Sequence, residues 1–126
     1  MTRRTQSSDA PLTAEAHLQR LLSGSQSSRT YQWHHVLAIA EAVTAKRTSR
    51  RETLLRRAAL YQGTFRLDPS HGMPHAMPPE DVLRCIAVQA LGKWDPRQHR
   101  EVILRVADTA EREMVAEIAR AALAAE

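Results

Sequence analysis

Apolar residues recur along this chain at spacings of three and four, the period of a helix that buries one face. Leu18, Leu21 and Leu22 form the first such group, inside TAEAHLQRLLSG, where Thr13 is placed to cap a helix and Gly24 to stop it. Trp33, Val36, Leu37, Ala40 and Val43 form the second. Leu54, Leu55, Ala58, Tyr61 and Phe65 follow behind Ser49-x-x-Glu52, the spacing of a capping box, with Arg50, Glu52 and Arg57 expected on the outer face. A fourth group, Val82, Leu83, Ile86, Ala90 and Trp94, begins behind Pro79, which fits a first helical position, and Glu80 and Asp81, which suit the positive end of a helix dipole. Asp95-Pro96 repeats that start signal ahead of Val102, Ile103 and Val106, so almost no loop separates the fourth helix from the fifth. Asp108-x-x-Glu111 has capping-box spacing again, before Met114, Val115, Ile118 and Ala122.

These groups predict six helices, near 13–22, 31–46, 50–66, 79–94, 96–107 and 110–125, with a loop at 67–78 and no strand. Residues 1–10 are polar and expected to form a disordered tail, and 11–126 a single all-helical domain. A chain of 126 residues can bury a core without disulfides or metal, because domains of this size hide roughly two-thirds of their unfolded surface. Serines in SGSQSSRT, 23–30, compete for backbone hydrogen bonds, which predicts a loosely attached first helix.

The pattern also contains an internal echo. Setting VLRCIAVQAL, 82–91, above MVAEIARAAL, 114–123, aligns Ile86 with Ile118, Ala87 with Ala119, Ala90 with Ala122 and Leu91 with Leu123. IAEAV at 39–43 echoes IAVQA at 86–90 more weakly. Two helices per period of this length is the spacing of helical solenoids, in which a helix pair buries its apolar face only by stacking on the next. LRCIAVQALGKWDP, 83–96, resembles the first-helix signature of HEAT-like (armadillo-type) repeats, with an apolar-Ala step, Ala-Leu-Gly, then Asp-Pro; the resemblance covers 79–126 and, more loosely, 31–66. It implies a short right-handed solenoid of about six helices, in which Ala87, Ala90 and Gly92 let paired helices approach while Asp95 and Pro96 form the sharp turn. It also implies a macromolecular partner. The period breaks at 67–78, and LLRRAALYQGTFRLDP fits only with an inserted residue, so an irregular helical bundle is the alternative architecture.

Composition narrows the function classes. Two Trp, two Tyr and one Phe are the only aromatic residues, so the core must come from aliphatic side chains and closely approaching helices. A formal charge of +4, with Arg far outnumbering Lys, permits contact with nucleic acid or an acidic protein and implies neither. Cys85 is the single cysteine, no apolar run approaches a membrane span, and MTRRTQSSDAPLT lacks the apolar stretch of a secretory signal. A cytoplasmic protein without a membrane partner is expected.

Chemistry-bearing residues are few. DPSHGMPHAMPPED, 68–81, places His71 and His75 four apart with Met73 and Met77 between and beyond them. Pro74 and Pro78-Pro79 prevent the helix that would put both rings on one face, so the stretch reads as an inter-repeat joint or a partner-binding loop, and no metal is assigned. For His34-His35, one ring is expected to be partly buried and the other in solvent; nothing nominates an orienting group or nucleophile, and no catalytic residue is assigned. Cys85 reads as a small inert hydrophobe. Without a Gly-rich phosphate loop, no cofactor is implied. The clearest signal is electrostatic: KRTSRRETLLRR, 46–57, sets Lys46, Arg47, Arg50, Arg51, Arg56 and Arg57 against Glu52 alone. The expectation is a non-enzymatic scaffold or protein–protein interaction module, with nucleic-acid binding through 46–57 as the alternative and a small metal protein or enzyme a distant third. The Ala-rich end ARAALAAE adds self-association through the last helix.

Overall fold

A computed structural model describes residues 13–23, 31–63, 65 and 78–124. Among the described residues six α-helices follow one another: α1 (Ala14–Leu22), α2 (Trp33–Thr44), α3 (Ser49–Leu60), α4 (Pro79–Trp94), α5 (Arg100–Thr109) and α6 (Glu113–Ala124). No strand occurs among the described residues. The expected tail at 1–10 and most of the 67–78 loop lie outside them.

Local hydrogen bonds explain where the helices begin and end. Thr13 caps α1 by accepting the Ala16 N–H at 3.1 Å, and His35 Nδ1 accepts the Gln32 N–H at 3.0 Å at the start of α2. At α3 the cap is Thr48, whose hydroxyl accepts the Arg51 N–H at 3.1 Å. The Ser49–Glu52 box is therefore not formed, and the Glu52 carboxylate is released for a different use. The third helix stops at Leu60 rather than near 66, because Tyr61 is extended and the Phe65 N–H goes to the Glu80 carboxylate at 2.6 Å instead of to a helical carbonyl. Asp95 caps the turn ahead of α5 by accepting the Gln98 N–H at 3.1 Å, so α5 starts at Arg100 rather than 96. Asp108 is inside α5 and Ala110 is extended, which excludes the Asp108–Glu111 box and moves the start of α6 to Glu113.

Packing follows a simple order. α2, α4 and α6 touch in sequence, as do α1, α3 and α5, and α1–α2, α3–α4, α4–α5 and α5–α6 contacts join the two rows. The segments that echo one another, 39–43, 86–90 and 118–122, all lie in the α2, α4, α6 row. Every neighbour of α4 removes another side of it from water. It buries Leu83, Cys85, Ala87, Val88, Ala90, Leu91 and Gly92, while Val82, Ile86 and Trp94, expected inward, are half-buried. A helix with partners on several sides has no single apolar stripe, so its burial could not follow the one-face pattern. Small residues set its spacing to α6: a Cβ added at Gly92 would lie 2.9 Å from the Ala122 Cβ.

Two further expectations change. α1 is firmly held, with Leu18 and Leu21 fully buried, the Arg51 Nε donating to Glu15 at 3.1 Å, and His17 Nδ1 2.5 Å from the Tyr31 hydroxyl. In α6 the inward residues are Val115, Ala116 and Ala119, and Met114 is 57% exposed. One residue is about 100° of helical rotation, enough to turn Met114 off the face that Val115 occupies. None of the helices, among the described residues, is long and apolar enough to cross a membrane.

Candidate functional site

The basic segment 46–57 spans the turn from α2 into α3, and its six cations divide into two kinds. Arg47 and Arg51 are parts of the fold. Arg51 ties three elements together: besides Glu15 it reaches the Ala42 and Lys46 carbonyls at 3.3 and 3.2 Å, closing the last turn of α2 against α1. Glu15 is correspondingly more acidic than usual, first through a backbone hydrogen bond and then through Arg51. Arg47 donates to the Trp94 carbonyl at 3.0 Å and lies 3.1 Å from the Glu52 carboxylate and 3.7 Å from that of Asp95. Lys46, Arg50, Arg56 and Arg57 are exposed and make no ion pair among the described residues.

The centre of the arrangement is a residue the sequence did not nominate. His99, fully buried at the turn into α5, places Nε2 2.8 Å from the Glu52 carboxylate. Glu52, expected outside, is thus turned inward with its side chain 14% exposed. The His99 hydrogen bond, with Arg47 behind it, holds the Glu52 carboxyl below its ordinary pKa despite the opposing effect of burial. His99 Nδ1 is buried without a hydrogen-bond partner among the described residues. Leaving such an atom unsatisfied costs about 1–3 kcal/mol, and a hydrogen bond to a charged group returns about 1.5–3 kcal/mol, so the ring is close to neutral for stability and chiefly fixes geometry. No sequence pattern pairs Glu52 with His99, which are 47 residues apart; the only trace is an acidic residue isolated in a basic run.

At the opposite ends of α3 and α5 a polar cleft of about 640 Å³ is lined by Tyr61, Glu80, Asp81, Arg84, Arg105 and Arg112, among others. Its charges are largely satisfied internally. Asp81 accepts Arg84 and, at 2.9 Å, Arg112, while Arg84 also donates to the Tyr61 carbonyl. Burial, then Glu80, makes the Tyr61 hydroxyl less acidic than usual.

His71, Met73, His75 and Met77 lie outside the described residues. Among the described residues no group of three or more His, Cys, Asp or Glu is placed to hold a metal ion. His34 and His35 are both exposed, contrary to the expected half-burial, because the α2 core face runs through Val36, Ile39, Ala40 and Val43; His35 serves the capping box. Cys85 is a free, buried thiol whose pKa burial pushes up. Compared with family models, curated proteins and solved structures, the chain matches none of them.

Proposed function

We propose that this chain is a non-enzymatic module that binds another protein through a helical-repeat surface of HEAT-like type. The observation that carries the reading is the order of helix contacts. Among the described residues the substantial helix contacts all join neighbours or next neighbours in the chain, and α1 and α2 have none of that size with α5 or α6. This order supports stacking that extends a surface, although α4, touched by α2, α3, α5 and α6, fits the irregular bundle as well; extended surfaces of stacked helices suit macromolecular partners. The echo between α4 and α6, and the close approach of Gly92 to Ala122, agree with stacked equivalent helices. Affinity capture with the full chain from its native source, followed by calorimetric titration of the purified partner, tests the reading. A saturable complex is expected; failure to recover any protein that binds directly overturns it.

Nucleic-acid contact is the second reading, favoured by the four exposed cations of 46–57 that the fold does not use. Its signature is salt. Log affinity should fall with log salt at a slope of about −0.9 per phosphate neutralised.

A further inference from the structure

The solvent face of α3 is basic for a reason that lies inside the protein. α3 contains one carboxylate, Glu52, and the fold spends it on His99 and Arg47. Arg50, Arg56 and Arg57 are left outside, with Lys46 in the turn before them, and no acidic side chain of α3 faces solvent to offset them. Arg50 occupies the second position of the helix, where a cation opposes the helix dipole. Arg51, beside it, pairs with Glu15, which attracts Arg50 only weakly and from beyond ion-pair distance. Arg56 and Arg57 are adjacent like charges. Helix stability does not account for this set, with the exception of Arg57, which is in the last turn.

We propose that the outer face of α3, with Lys46, is the docking surface for a short acidic segment of another protein; this rests on the protein-binding reading above. Charge complementarity identifies the occupant, and two features favour a polypeptide over nucleic acid. α3 is flanked in its row by α1 and α5, so it does not project as a helix entering a groove about 12 Å wide must. Tyr31 and Phe65 are buried, Trp33, Tyr61 and Trp94 are half-buried, and the exposed rings among the described residues, His34 and His35, belong to α2, so α3 itself carries no ring on which bases stack. From Arg50 to Arg57 the face measures about 10 Å along the helix, the reach of carboxylates spread over two turns of an acidic helix.

The test uses the full chain and fluorescence anisotropy. The probes are a labelled glutamate-rich peptide of about twelve residues, long enough to cover the face as a helix, its glutamine analogue, and single- and double-stranded oligonucleotides of matching length. The acidic peptide is expected to bind and the glutamine analogue not to. Arg50→Glu, Arg56→Glu and Arg57→Glu should each weaken the acidic peptide about two- to fivefold, the loss expected for exposed ion pairs. The triple reversal should weaken it about tenfold or more, and Arg120→Glu, in the other row, should leave it unchanged. Arg50→Glu also replaces a cation that opposes the helix dipole, so it should melt no lower than the parent while binding less; reduced binding therefore does not trace to a damaged fold. Binding unchanged in the triple variant, equal weakening by Arg120→Glu, or tighter binding of an oligonucleotide than of the peptide each overturns the proposal. Capture experiments separate the two levels. If the triple variant retains the native partner, the α3 surface is wrong and the protein-binding reading stands; if the parent chain recovers no direct partner, both fall.

Discussion

Replacing Gly92 by Ala asks whether the approach of α4 to α6 governs the stability of the α2, α4, α6 row. In a helix free of neighbours the change is favourable, because alanine exceeds glycine in helix propensity by about 1 kcal/mol. Here the added Cβ would lie 2.9 Å from the Ala122 Cβ and 3.3 Å from the Ala122 carbonyl oxygen, shorter than the 3.4–4 Å of ordinary contact. Neither obstacle is a flexible side-chain end, so α6 itself must move. Overpacking of a filled interior costs about 1–3 kcal/mol, which exceeds the propensity gain and leaves a net loss of about 1 kcal/mol. Urea unfolding followed by far-UV circular dichroism should show a lower midpoint at unchanged slope. Ala122→Gly alone should destabilise through lost propensity, but in the Gly92→Ala background it removes the shorter of the two contacts, that with the Cβ, and should cost less, a coupling of about 0.5–3 kcal/mol. A Gly92→Ala variant more stable by the full propensity difference, with additive behaviour in the double variant, would refute the reasoning.

Three further outcomes follow from the buried groups. Glu52 has a folded pKa held below its ordinary value of 4.5, so its contribution is present above that pH and lost as pH falls toward the folded value; Glu52→Gln should cost about 1.5–3 kcal/mol at neutral pH and flatten the acid side of a stability–pH curve. Arg51→Ala removes the links from α3 to Glu15 and to the end of α2, and should raise amide hydrogen exchange in α1 more than in α4. Cys85 is 6% exposed with its thiol pKa raised by burial, and should react with a disulfide reagent only slowly in the native protein and at once in denaturant.

The legible part of this protein was whatever short-range chemistry decides. Thr13 as a cap and Asp95 ahead of α5 act through hydrogen bonds to the residue three further on, Pro79 acts through its own fixed backbone angle, and each appears in the structure. Choices between adjacent capping candidates were less readable, because Thr48 and Ser49 offer the same hydroxyl and only the path of the chain selects Thr48. The candidate site was half legible. Six cations in twelve residues are obvious in sequence, but that Arg51, half-buried, and Arg47, at the surface, are engaged by the fold depends on Glu15, Trp94 and Asp95, which arrive from distant elements.

By itself the sequence determined the six helices found among the described residues, though not the end of α3 or the starts of α5 and α6, and the apolar residues available to a core, because 3.6-residue periodicity and capping are local properties of the chain. Tertiary structure alone decided which helices stack, that α4 is enclosed on several sides, and that Glu52 turns inward to His99. The reason is that burial and charge pairing are properties of neighbours in space. His99 and Glu52 lie 47 residues apart in the chain, and only the stacking of α3 beside α5 brings them to 2.8 Å and leaves the remaining arginines of α3 facing water.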